Sequence, residues 1–161
     1  TTSKWCAMNR NLPRRRFLQA AVALPASGLL SSAAADAEAG KRQVDQAVVD
    51  FFGADRRVRS GRVTVSVPAI SENGYSVPLS VAVDSPMTAE DFVRRILVVS
   101  QSNPLPIIAS FELGPRAGLA KMSTRIRLAD SQRIYAIAEM HDGELWSGYG
   151  HSIVTLAACV I

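Results

Sequence analysis

Gly61-Arg62-Val63-Thr64-Val65-Ser66-Val67 places a valine at every second position from Val63, with a polar residue between each pair. A period of two sends successive side chains to opposite faces of an extended chain, so the stretch predicts a half-buried β-strand. Pro68 ends it, since proline has no N–H for a strand ladder. Downstream, residues 77–83 put Val77, Leu79, Val81 and Val83 on one face. Residues 92–99 are strongly β-branched, and 107–113 make a fourth strand. In 121–128, Met122, Thr124, Ile126 and Leu128 oppose Ser123, Arg125 and Arg127. In 132–140, Ile134, Ala136 and Ala138 oppose Tyr135, Ile137 and Glu139, and 144–157 supplies a last strand or pair of strands. Turns separate these runs at Glu72-Asn73-Gly74, where Asn-Gly tolerates positive φ, at Asp84-Ser85-Pro86-Met87 and at Asn103-Pro104-Leu105-Pro106. Further turns fall at Gly114-Pro115-Arg116-Ala117-Gly118 and Asp142-Gly143. About seven short strands without a long helix predict an all-β fold, an antiparallel β-sandwich over residues 61–156. No Cys–Trp–Cys pattern is present, so an antibody-type domain is not expected.

Upstream of the strands the period changes. Gln43, Val44, Ala47, Val48, Phe51 and Phe52 recur at helical spacing, so residues 41–52 read as one short amphipathic helix stopped by Gly53. Its apolar face can dock on the domain or on a partner, and we expect it to pack, with one sheet face, on a partner subunit. Residues 54–60, Ala-Asp-Arg-Arg-Val-Arg-Ser, read as a charged, solvated connector, so 36–60 is helix plus linker.

Charge is unevenly placed along the 161 residues. Residues 1–35 hold Lys4, Arg10, Arg14, Arg15 and Arg16 and no acid, which leaves 13 basic against 14 acidic residues in the remainder. The basic balance therefore belongs to the leader and gives no argument for nucleic acid as a partner. Within it, Pro13-Arg14-Arg15-Arg16-Phe17-Leu18-Gln19 precedes a modestly apolar run, and Ala33-Ala34-Ala35 offers the small residues of a cleavage site. This is the order of an export signal of the twin-arginine type over residues 1–35. Pro25 and Gly28 interrupt an apolar run already short of the ~20 residues a spanning helix needs, so no stable membrane span is expected after cleavage. Cleavage removes Cys6 and leaves Cys159 as the one thiol, two residues from the end of the chain. An unpaired cysteine in an oxidising compartment suggests a reactive thiol or an intermolecular bridge; the alternative is an inert buried cysteine.

Several blocks carry a family resemblance. Ser71-Glu72-Asn73-Gly74-Tyr75-Ser76-Val77-Pro78-Leu79, Asp84-Ser85-Pro86-Met87-Thr88, Asn103-Pro104-Leu105-Pro106, Ser123-Thr124-Arg125-Ile126-Arg127-Leu128-Ala129 and Ala138-Glu139-Met140-His141-Asp142-Gly143 resemble, in order, the SoxY family. These are the sulfur-carrier subunits of the periplasmic thiosulfate-oxidising (Sox) system. The resemblance spans roughly residues 41–161. It implies an immunoglobulin-like β-sandwich, a heterodimer with a SoxZ-like β subunit, and a carrier cysteine that maps onto Cys159. It also implies transient docking with haem-containing, manganese-containing and sulfane-dehydrogenase Sox enzymes. No cofactor is expected on this chain. The best-known family tail is Gly-Gly-Cys-Gly-Gly, whereas Cys159 is flanked by Ala157, Ala158, Val160 and Ile161. Glycine frees the backbone, while valine and isoleucine stiffen it, so this tail is expected to extend the last strand and swing less.

A carrier needs a nucleophilic thiolate, yet a free cysteine with a pKa of about 8.5 is only a few per cent ionised at neutral pH. No Lys, Arg or His lies within seven residues of Cys159 in sequence. This favours an attachment site acted on by other enzymes over an autonomous catalyst, and no catalytic residue is assigned. Two rival readings are a binding or assembly module whose tail no longer carries sulfur, and a small thiol hydrolase using His141 or His151 with Asp142 or Glu139. No metal site is expected, because His141, His151 and Cys159 lack ligand spacing. Arg94, Arg95, Arg125, Arg127 and Arg133 are either solvated strand residues or a cluster that attracts an anion. Trp146 and Tyr149 are expected to cap the core, with a partner contact as the alternative.

Overall fold

The computed structural model describes residues 31–156. One helix, α1 (Ser31–Phe52), precedes nine strands: β1 (Val58–Ser60), β2 (Val63–Ser66), β3 (Ile70–Ser71), β4 (Val77–Val83), β5 (Val93–Ser100), β6 (Ile107–Glu112), β7 (Lys121–Ile126), β8 (Gln132–Met140) and β9 (Leu145–Val154). The larger sheet runs β1-β9-β8-β5-β6, with β3 also on β9; the smaller runs β2-β4-β7. Packed face to face, the two sheets make an immunoglobulin-like β-sandwich. Seven strands fall where the period of two predicts them.

The main core lies between the sheets. Val77, Leu79, Val81 and Val83 of β4 meet Ile96 and Val98 of β5 and Ile134, Ala136 and Ala138 of β8. A register shift between Val93 and Arg95 lets Val93 share the inner face with Ile96. The larger sheet is buried on its outer face too. There Leu97, Val99, Ile137 and Leu145 receive Val44, Ala47, Val48 and Phe52 of α1. Both faces of β5 and β8 are thus covered, which explains their near-continuous apolar sequence. Each valine or phenylalanine so buried contributes about 1.5–3 kcal/mol relative to exposure.

Several expectations are corrected. The helix begins at Ser31, not Lys41, because an alanine-rich run of strong helix formers precedes the packed turns. The expected leader boundary at 35 falls inside it, and Gly40 to Phe52, which carry the buried positions, all lie beyond. The apolar face of α1 packs on the chain's own sheet, so it is not free for a partner. Gly53 does stop the helix, donating to Val49 O at 2.8 Å. Residues 58–60 of the connector, though exposed, are more than a link: they pair in parallel with β9, Val58 opposite Leu145. β3 also pairs with β9 in parallel, so the sandwich is antiparallel only in its seven principal strands. Glu72-Asn73-Gly74 turns the chain from one sheet to the other, without the positive φ that Asn-Gly tolerates. The hairpin expected at Asp142-Gly143 is present between β8 and β9, with Gly143 at φ +89°.

One close approach holds the sandwich tight on this side. A Cβ on Gly148 of β9 would stand 2.1 Å from Val63 O of β2. Only glycine lets these two strands meet at that distance.

Candidate functional site

The cysteine tail, Ala157-Ala158-Cys159-Val160-Ile161, lies outside the described residues; its root is described. β9 carries the chain along the larger sheet, and its end is tied on several sides. Ile153 N donates to Ala69 O at 2.9 Å and Thr155 N to Ser71 O at 3.1 Å. Thr155 Oγ1 donates to Glu72 O at 2.6 Å, and Val154 N to Ser131 Oγ at 2.9 Å. Gly74, buried, donates to Leu156 O at 2.8 Å while its own carbonyl accepts from Leu128 N at 2.9 Å. Inside this collar the Ser71 and Ser152 hydroxyls meet at 3.0 Å, both residues buried. Cys159 is the third residue after Leu156, and three residues of backbone span at most about 11 Å whatever path they take. The collar thus bounds where the thiol can be.

The other end of the β8–β9 hairpin is built from charge. Glu139, 3% exposed, accepts from Arg56 Nη1 at 2.9 Å and from Arg95 Nε at 2.7 Å. Arg56 also donates to Gly143 O. The Arg95 guanidinium lies over the rings of Phe51 and Phe52 at 5.2 and 5.4 Å. Burial alone would push the Glu139 carboxyl up, but the hydrogen bonds and charges of Arg95 and Arg56 outweigh it and hold it below the ordinary range. The same hydrogen bond raises Arg95 further. This cluster clamps the end of α1 and the β8–β9 turn onto the sheet.

The rival constellation does not assemble there. Glu139 is engaged by two arginines, and His141, exposed, stacks on Phe92 with ring centres 5.6 Å apart. Glu139 pairs with Leu145, eleven residues before Leu156, and at about 3.3 Å per residue that is about 36 Å from the tail root, far beyond the thiol's reach. His151, exposed on the outer face, pairs with Arg133. The five arginines form no single cluster: Arg94, Arg95 and Arg133 belong to the larger sheet, Arg125 to the smaller, and Arg127 follows the end of β7. Arg125 reaches Ser76 and Arg133 lies over Tyr149. Trp146 packs on the core, flanked by Arg59 and Arg62, but Tyr149 is exposed. A groove of about 760 Å³ between α1 and the outer sheet face is lined by Lys41, Asp45, Arg56, Arg133 and Tyr135 among others, a mixture of charges that selects no ligand class. Among the described residues no group of three His, Cys, Asp or Glu side chains could hold a metal. No described helix is long and apolar enough to cross a membrane.

A model of the family described as sulfur oxidation protein SoxY matches residues 48–159. The chain belongs to the SoxY family. The match ends on the residue singled out as the sole mature thiol. Among solved structures, the sulfur carrier protein SoxY from Chlorobium limicola f thiosulfatophilum aligns with TM-score 0.65 and 24% identity, over 74% of this chain and 98% of that one. Superoxide reductase (neelaredoxin) from Ignicoccus hospitalis aligns with TM-score 0.52 and 17% identity, over 58% and 80%. Superoxide reductase from Nanoarchaeum equitans aligns with TM-score 0.50 and 11% identity, over 59% and 99%. At these identities the structural likenesses show the SoxY fold and its spread to other proteins, nothing more. Comparison with curated protein sequences finds no match.

Two parts of the site escape a sequence reading. Thr155, Ser131 and Gly74 are ordinary polar or turn residues with no pattern that assigns them to a collar. Glu139 does carry a signal: it shares a strand face with Tyr135 and Ile137, and a lone acid on an apolar face needs a partner.

Proposed function

We propose that this protein is a covalent sulfur carrier, exported to the periplasm by its twin-arginine-type leader and working as a heterodimer with a SoxZ-like β subunit. The thiol of Cys159 is the attachment point, and partner enzymes act on what it carries. The family match, whose span ends at Cys159, is the observation that carries this reading. The root geometry supports it, because β9 delivers the chain to Leu156, three residues before the thiol.

Loading balances as follows. A bond forms between Cys159 Sγ and the terminal sulfur of thiosulfate. The thiol proton leaves, and two electrons pass to the haem-containing partner. Hydrolysis by the manganese-containing partner then adds water across the S–S bond to the sulfonate, releasing hydrogen sulfate and leaving a persulfide on Cys159. A cysteine of ordinary acidity suffices, since the docking enzyme can supply the positive charge that favours thiolate. Ala157, Ala158, Val160 and Ile161 give the tail a stiffer backbone than a glycine arm, so the enzymes must come close to the body of the carrier.

Mass spectrometry of the intact heterodimer, with and without thiosulfate and the partner enzymes, tests the reading. Adducts removable by a reductant are expected on Cys159 and are expected to vanish in Cys159→Ser. A chain that remains unmodified under every condition is an assembly module and not a carrier.

A further inference from the structure

We propose that Ile70, Ile153 and Leu156 form the surface on which the enzyme that couples a sulfur anion to Cys159 docks. The inference rests on the carrier reading and adds where the enzyme must touch. Ile70 is 65% exposed, Ile153 48% and Leu156 62%. Ile70 and Ile153 are register partners of β3 and β9, so their side chains stand side by side on the outer face of the larger sheet. Their sequence neighbours Ser71 and Val154 point the other way and are buried. Leu156 follows at the collar, where Gly74 holds its carbonyl. Ile153, three residues back, lies about 10 Å from it along the chain.

The reach of the tail decides the occupant. The Cα of Cys159 cannot leave a sphere of about 11 Å around that of Leu156, and the thiol adds only the length of its own short side chain. Any enzyme that closes an active site on it must cover the surface beside that residue, where Ile70, Ile153 and Leu156 are exposed aliphatic side chains and exposed Tyr75 follows Gly74. The flank is polar and aromatic: Tyr149 and His151 occupy the same face of β9, with Arg133 over Tyr149. A small apolar centre with a polar rim is the anatomy of a short-lived docking contact. A permanent subunit over the same three residues would stand between the thiol and its enzymes.

The test uses the full-chain heterodimer, thiosulfate and the oxidising enzyme that couples them. Ile70→Lys/Ile153→Lys and, separately, Leu156→Asp are expected to lower the initial rate of adduct formation on Cys159 at least tenfold. Labelling of Cys159 by iodoacetamide should stay within twofold of wild type, and heterodimer elution should not change. Adduct formation within twofold of wild type in both variants overturns the docking surface. So does loss of the heterodimer, which would assign the patch to the β subunit, and so does an altered self-association state, which would assign it to a second copy. Failure of the wild-type chain to form any adduct overturns the carrier reading and this surface together, which keeps the two failures distinguishable.

Discussion

The two ends of the β8–β9 hairpin solve the same problem, holding a chain end to a sheet, with opposite chemistry. At the turn end a buried carboxylate is gripped by two guanidinium groups, and the end of α1 is fixed with it. At the open end the collar is made mainly of hydroxyls and backbone groups: Thr155, Val154, Gly74 and Leu128 donate and Ser131 Oγ accepts, while Asp130 accepts from Ser131 N at its edge. A buried ion triad is rigid and costly to break. Neutral hydrogen bonds near solvent hold less strongly but add no charge. The two kinds of fastening lie a hairpin's length apart.

The largest effect is expected at the charged end. Glu139→Ala leaves Arg56 and Arg95 facing an apolar floor, with the partner of both removed. Breaking a buried pair costs about 3–5 kcal/mol. The two arginines, about a third exposed, place this one near about 3 kcal/mol. Urea denaturation measures it, and a loss below ~1 kcal/mol would mean the cluster holds nothing. Between the two ends the interaction is steric. Gly148→Ala sets a methyl 2.1 Å from Val63 O, so β2 must move. About 2 kcal/mol of destabilisation is expected, as for other overpacked cores. Acid separates charge from packing. Glu139 is held below its ordinary range, where burial opposes and the hydrogen bonds of Arg95 and Arg56 prevail. A carboxyl depressed in the folded state stabilises above its unfolded pKa of about 4.3 and loses that contribution as pH falls through the folded value. Wild-type stability should therefore drop more steeply below about pH 4.3 than that of Glu139→Gln, while Gly148→Ala should parallel wild type. Parallel curves for wild type and Glu139→Gln would remove the charge argument.

Legibility in the sequence follows the same divide. Strands with one or both faces in the core, such as Val77–Val83 and Gln132–Met140, were readable because burial imposes the period of two. β1 and β3 were not: three and two residues long, they exist because β9 presents an edge to pair with, a fact of tertiary structure. The blocks that carry the family resemblance prove to be structural. Asn103 accepts from Ala129 N at 2.9 Å and donates to Arg127 O at 2.9 Å, pinning one loop to another. Ser85 Oγ donates to Asp91 O and accepts from Met87 N, fixing the turn around Met87 at positive φ. Such residues mark the fold and through it the family; they do not mark the chemistry. Cys159 was singled out for the opposite reason, since an expected leader accounts for Cys6 and leaves it alone. The collar was invisible because its hydrogen bonds join residues some eighty positions apart.

The smallest effect tests whether the two ends are independent. Thr155→Val keeps the shape and β-branching of the side chain and deletes the Oγ1 hydrogen bond, donated to Glu72 O at 2.6 Å and shared with Ser71 O at 3.4 Å. Glu72 is exposed, so water can take the vacated carbonyl, and the expected loss of global stability is only about 0.5–1 kcal/mol. Local opening should respond more than global unfolding, because low-stability units open on their own. Amide hydrogen exchange at Thr155 and Gly74, both bonded inside the collar, should accelerate about fivefold, the equivalent of ~1 kcal/mol. Exchange at Met140, which donates to Glu144 O beside the ion cluster, should not move. Sites so far apart with no shared partner are additive, so the Glu139→Gln variant should show the mirror image. If Thr155→Val also accelerates Met140, the hairpin transmits between its ends. Release of the tail root would then loosen the clamp on α1, and neutral collar and charged lock would have to be treated as one device.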